Sequence, residues 1–141
     1  MKVNYVRLHP SAILPTKGTP NSAAYDLYAI EDAFIPYGVT VSVGTGLSMQ
    51  IPEGWKGEIY SRSGLASQGI VVANSPGKID SDYRGEIKVL LRNNRPELVG
   101  IKTGDHIAQF EINRVHPIQF EEVDNLDFTS RGDQGFGSTG N

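Results

Sequence analysis

Two carboxylates stand one residue apart in Gly77-Lys78-Ile79-Asp80-Ser81-Asp82-Tyr83-Arg84-Gly85-Glu86, with a tyrosine and an arginine just behind them. A carboxylate is ionised at neutral pH and can orient or deprotonate water. Paired with an aromatic ring, it suits the binding and activation of a small molecule. On an extended strand Asp80 and Asp82 point to the same side, so both could face one pocket. Ile87, Val89 and Leu91 then alternate with Lys88 and Arg92, which reads as a strand leaving a hairpin. Read alone, the stretch is equally well a polar hairpin with solvated charges.

Other chemistry-bearing groups are scattered along the chain. Arg62-Ser63-Gly64 stands at the start of a short helical pattern, where free N–H groups and a hydroxyl attract phosphate; simple capping by Ser63 explains it as well. Gly104-Asp105-His106-Ile107-Ala108-Gln109 reads as a turn entering a strand. Gln109 lies on the face opposite Ala108 and Phe110, so it faces either solvent or a site. The run from Arg131 to Asn141 is rich in glycine, with Arg131, Phe136, Ser138 and Thr139 among them. It cannot bury a core, and reads either as a frayed tail or as a segment that wraps phosphates. A Ser63–His106–Asp hydrolase triad has no nucleophile-elbow pattern behind it. Arg131-Gly132-Asp133 matches an adhesion tripeptide by coincidence.

The elements that must carry these groups are short strands. The 141 residues make one domain, with 16 glycines and 8 prolines breaking any long helical period. Strands are expected around Val3 to Leu8, Tyr25 to Ala29 with Asp26 on the polar side, Val39 to Val43, Leu47 to Ile51, Ile59-Tyr60, Ala108 to Ile112, and Ile118 to Phe120. Turns are expected at 53–57 and, as a solvated run, at Arg92-Asn93-Asn94-Arg95. The single helix expected is Ser63 to Gln68, capped by Ser63 and closed by Gly69. The class is therefore an all-β sandwich or barrel. Cysteine is absent, which excludes disulfides and thiolate chemistry, and the three histidines lack metal-ligand spacing. A net charge of −3 without a cationic face excludes duplex nucleic acid as a partner. With no apolar run of membrane-spanning length and no signal pattern after Met1, no membrane partner is expected. A soluble, cytoplasmic protein is expected, or one intracellular in a host if the source is viral.

Taken in order, Ala23-Ala24-Tyr25-Asp26-Leu27, Arg62-Ser63-Gly64-Leu65-Ala66, the stretch Gly77 to Gly85, Gly104 to Gln109 and the run Arg131 to Gly140 resemble the motifs of the homotrimeric dUTPases. The resemblance spans from about Val3 to Gly140. It implies a distorted jelly roll of β-clip type (1–128) with one short helix and a flexible glycine-rich C-terminal arm (129–141). It further implies Mg²⁺-assisted hydrolysis of dUTP to dUMP and pyrophosphate, by attack of water on the α-phosphate, which lowers dUTP and supplies dUMP for dTMP synthesis. Asp80 matches the carboxylate that activates the water, and Tyr83 the ring that packs on the deoxyribose. Asn74, with hairpin backbone near Gly77 and Ile79, matches the uracil-reading group. Arg62, Ser63, Gly64 and Gln109 match phosphate-binding positions. Asp26 matches an acidic residue that reaches Mg²⁺ through water only. Arg131, Phe136, Gly137, Ser138 and Thr139 match the arm that closes on the nucleotide, Phe136 over uracil. The family's sites are shared between subunits of the trimer.

Several positions depart from the commonest family pattern: Ala24, Ser61, His106 and Asp133-Gln134. The segment from Ser63 to Asp80 is also one residue shorter than in many relatives, which loosens the match of Asn74. Competing readings are a dCTP deaminase of the same superfamily, a nucleotide-gated protein switch, and a plain jelly-roll binding module. Asp80-Ser81-Asp82-Tyr83 argues against the first.

Overall fold

A computed structural model describes residues 1–137. Among them are eleven strands and one helical turn: β1 (Asn4–Arg7), β2 (Tyr25–Tyr28), β3 (Ala33–Ile35), β4 (Thr40–Gly44), β5 (Leu47–Gln50), β6 (Trp55–Tyr60), α1 (Ser63–Ala66), β7 (Ile70–Val72), β8 (Gly77–Ile79), β9 (Lys88–Asn93), β10 (Val99–Ile101) and β11 (His106–Arg114). The two main sheets run β2-β11-β6-β8 and β4-β9-β7, and the pairs β1-β5 and β10-β3 complete the body. The architecture is all-β, as the alternation and turn spacing predict, and jelly-roll-like, as the family resemblance implies.

β9 shows why the alternation works. Val89, Leu91 and Asn93 are buried while Lys88, Leu90 and Arg92 are exposed. Leu27, Ile35, Val43, Leu47, Ile51, Ile87 and Ile107 join Leu91 in the core, each almost wholly out of solvent. Each such side chain contributes about 1.5–3 kcal/mol by leaving water.

The structure corrects several expectations. β8 pairs with β6 and β9 with β4 and β7, so the stretch between β8 and β9 is not a hairpin: it crosses from one main sheet to the other. β8 ends at Ile79, and Asp80 to Tyr83 form a turn closed by the Tyr83 N–H donating to the Asp80 carbonyl at 3.2 Å. α1 spans only Ser63–Ala66; its N-cap is Arg62, which makes no side-chain cap bond, so Ser63 caps nothing. Gly69 follows with φ +83°, the left-handed stop expected of it. β6 starts at Trp55, inside the expected turn. Gly57 is a strand residue there, and it is glycine because a Cβ would lie 2.7 Å from the Phe110 ring. Asn93 is fully buried rather than solvated, and its amide donates to the Ile35 and Glu97 carbonyls at 2.9 and 2.7 Å. Ile118 and Phe120 form no strand and stand exposed, since no edge of the chain's own sheets pairs with them. β3, β7 and β10 are too short for period-2 alternation to announce them.

Candidate active site

The crossing from β8 to β9 sets the first half of the site. Asn74, Gly77, Ile79, Asp80 and Tyr83 line one pocket of about 220 Å³, together with Lys78, Glu86, Lys88 and core residues. The second half of the crossing segment, Arg84 to Ile87, is bound to the β4–β5 junction. The Gly46 N–H donates to Glu86 Oε1 at 2.9 Å, and Ser48 Oγ to the Arg84 carbonyl at 2.7 Å. Thr45 Oγ1 donates to the Ile87 carbonyl at 2.7 Å, and the Ile87 N–H to the Leu47 carbonyl at 2.8 Å. Glu86, Thr45 and Ser48 are the supports that sequence reading missed. Gly44, Gly46 and the hydroxyls beside them were the available signal, since small polar residues at a strand junction invite a neighbouring backbone.

Tyr83 is half exposed, and its hydroxyl donates to the Glu86 carbonyl at 3.0 Å. Asn74 lies over Gly77, where a Cβ would come 3.0 Å from Nδ2. Asp80 also borders a second, broader hollow of about 790 Å³, with Asp82, Arg84, Trp55 and Lys56. The two carboxylates thus share one hollow, through a turn rather than a strand, and Asp80 alone faces both.

The second cluster sits on β2, β6 and β11. Asp26 pairs with Gln109 across the β2–β11 ladder, and Gln109 with Tyr60 across β11–β6, which puts the three on one sheet face. Asp26 is buried rather than solvated. Its Oδ1 accepts from Arg62 Nε at 2.9 Å, and His106 Nδ1 stands 3.3 Å from its Oδ2. The His106 ring packs edge-on against Tyr28, with centroids 4.5 Å apart. Ser63 and Gly64 are exposed at the start of α1. Ser61 supports this corner: its Oγ accepts from the Val72 N–H at 2.8 Å. Arg62, Ser63, Gly64, Gln109 and Asp26 are not among the residues lining the Asp80–Tyr83 pocket. The body of the chain therefore brings its expected residues together as two groups, not one.

Between the groups lies Glu58 on β6, a further residue that sequence reading missed. It is buried, and its carboxylate meets the ammonium of Lys78, the ammonium of Lys56 at 3.0 Å, the Asn113 amide at 2.6 Å and the Tyr60 hydroxyl at 3.0 Å. The Lys78 contact, followed by those from Lys56, Asn113 and Tyr60, outweighs burial and holds Glu58 down at about 2. Glu58 in turn raises the Tyr60 phenol and the Lys56 ammonium. A lone carboxylate in a Gly57–Ile59 apolar setting was the sequence signal for it.

In the C-terminal segment, Arg131 Nε donates to the Gln134 carbonyl at 2.8 Å, and the Gly132 N–H to Thr129 Oγ1 at 3.1 Å; these bonds run within the segment. Phe136 is fully exposed, and Gly137 follows with φ +86°. Ser138 and Thr139 lie outside the described residues.

For a divalent cation the donor set is sparse. Among the described residues no three His, Cys, Asp or Glu side chains gather as ligands. Asp26 offers a carboxylate with both oxygens already engaged and a side chain only 12% exposed. A hard cation at this face would have to keep its waters and take its other ligands from elsewhere, and Asp26 is the carboxylate that could reach it through water.

Comparison with known proteins identifies the family. Residues 10–140 match the dUTPase family model. The chain is 45% identical over 141 residues to the deoxyuridine 5'-triphosphate nucleotidohydrolase of Wolinella succinogenes, covering 99% of this chain and 95% of that protein. It is 48% identical over 140 residues to that of Corynebacterium glutamicum, covering 98% and 94%. Its fold superposes on a mutant Staphylococcus bacteriophage 80alpha dUTPase with dUpNHpp at a TM-score of 0.87, with 24% identity, covering 99% of this chain and 98% of that one.

Proposed function

Because the chain belongs to the dUTPase family and hydrolyses dUTP to dUMP, we propose that it does so with a water held by Asp80, in sites that neighbouring copies of a homotrimer complete together. The observation that carries this is the pocket itself. One hollow of about 220 Å³ holds the carboxylate, the Tyr83 ring, and the Asn74, Gly77 and Ile79 edge. That is a place for a base, a sugar and an attacking water side by side.

Attack at phosphorus needs a positioned nucleophile, neutralised charge and an in-line leaving group. Asp80 accepts a hydrogen bond from the water and takes its proton as the oxygen bonds to the α-phosphorus. The bond from that phosphorus to the bridging oxygen breaks, and pyrophosphate leaves. Arg62, Gln109, Ser63 and the backbone of Gly64 hold the phosphates, with Arg62 steadied by Asp26. These residues lie outside the Asp80 pocket of their own chain, which supports a phosphate side supplied by another copy. Mg²⁺, when bound with the triphosphate, supplies positive charge and a fixed phosphate geometry. Asn74 and the backbone around Gly77 and Ile79 read the uracil edge, where a mismatched polar group is expensive. Tyr83 packs on the deoxyribose. Residues 1–128 form the catalytic body and 129–141 the arm. Arg131, Ser138 and Thr139 close on the γ-phosphate, with Gly137 for the turn and Phe136 over the base.

Pyrophosphate release is measured with dUTP, dTTP, dCTP and UTP in parallel, with and without Mg²⁺. Release from dUTP alone, dependent on Mg²⁺, is expected. Ammonia from dCTP would move the chain to the deaminase side of the superfamily, and turnover without any divalent cation would remove Mg²⁺ from the reading.

A further inference from the structure

We propose that Gly85 is a specificity-determining position, because the space its missing side chain leaves is the seat of the Tyr83 ring. The inference rests on the reading of Tyr83 as the group that packs on the sugar. A Cβ built on Gly85 would lie 2.3 Å from Tyr83 Oη, 2.5 Å from Cζ and 3.0 Å from Cε2. Its backbone does not require glycine: φ lies outside the left-handed range, so an alanine would be free to adopt it. Glycine stands there for room alone.

The ring has three fixings. At its base, the Tyr83 N–H closes the turn that starts at Asp80. At its tip, the hydroxyl is held by the Glu86 carbonyl at 3.0 Å. Beneath it lies Gly85, with no side chain to lift it. Tip and base are set by residues on either side of Gly85, so the ring cannot swing away from a new methyl group without losing its hydrogen bond. A ring held in this way presents one surface to a sugar. Gly85 touches no substrate; it acts through Tyr83.

Four proteins test this: wild type, Gly85→Ala, Tyr83→Ala and the double variant. Each is assayed for kcat/KM on UTP and dUTP by pyrophosphate release, and for melting temperature. Gly85→Ala should raise the UTP/dUTP ratio by roughly tenfold, the scale of one misplaced apolar contact. Tyr83→Ala should raise it too, and the double variant should match Tyr83→Ala, because the methyl group then has no ring to displace. Gly85→Ala should also melt lower than wild type, and removal of the ring in the double variant should return that loss. If Tyr83→Ala changes the ratio and Gly85→Ala does not, the role of Gly85 is refuted while the sugar reading of Tyr83 stands. An unchanged ratio in Tyr83→Ala overturns both. If Gly85→Ala fails to fold, the double variant decides: recovery of folding identifies the ring as what the methyl group meets, and continued failure refutes the proposal.

Discussion

Replacing Glu58 with Gln tests the charge network that joins β6 to β8. The substitution keeps the shape of the side chain and leaves an oxygen for Asn113 and Tyr60, but removes the charge that Lys78 and Lys56 share. The carboxylate stands at about 2 in the fold against an ordinary 4.5. At about 1.4 kcal/mol per pH unit this difference is worth roughly 3 kcal/mol. The two lysine side chains are 47% and 31% exposed, so solvent and salt screen the pairing, and about 1–2 kcal/mol is left. For a domain of this size the melting temperature should fall by roughly 3–6 °C at pH 7. Because folding lowers the pKa, the contribution is complete above pH 4.5 and disappears as pH falls towards 2. Scanning calorimetry of both proteins at one concentration, from pH 7 downwards, should show a gap that closes across that window and narrows in high salt. No gap at pH 7, or one as wide at pH 3, would refute the reasoning.

Asp80→Asn should reduce turnover by orders of magnitude while titration calorimetry with a non-hydrolysable dUTP analogue still shows binding; near-normal turnover would take the water from Asp80. Asp26→Asn should raise the Mg²⁺ concentration needed for half-maximal rate, whereas a loss independent of Mg²⁺ would assign Asp26 to holding Arg62 alone. Asp80→Asn with an intact tail, refolded in equal amounts with a chain truncated before Arg131, should recover roughly a quarter of wild-type activity: about three quarters of random trimers are mixed, each with one complete site in three. If each arm closes over its own Asp80, the mixture stays inactive.

Much of the body was legible because its strands are half buried. Val89 and Leu91, Val41 and Val43, and Ala108 and Phe110 announce themselves by alternation or by apolar content. Pairing was not legible, since it depends on residues far apart in the chain. Nothing local in Asp80 to Glu86 distinguishes a hairpin from a passage between sheets. The site residues were legible as types in order, but their division into two groups was not, because it follows from which sheet each strand joins. Asp26 was expected on a polar face. It does face that side, and Arg62, brought from a distant segment, covers it. Glu58 was overlooked and Asn93 read as solvated for the same reason: a buried polar side chain is explained by partners that only the fold supplies.

The passage from β8 to β9 bears on how the molecule breathes. Its backbone at Arg84 and Ile87 is sewn to Thr45, Leu47 and Ser48, its Glu86 side chain to Gly46, and it enters the core at Ile87. For Arg84 to Ile87 to leave the β4–β5 junction, those bonds must break. Amide hydrogens such as that of Ile87 should then exchange only through large-scale opening, while those of the exposed residues 118–128 exchange far faster. The far end of the passage thus shares the lifetime of the whole sandwich, while the exposed turn at Asp80 to Tyr83, outside those bonds, can move without the fold giving way.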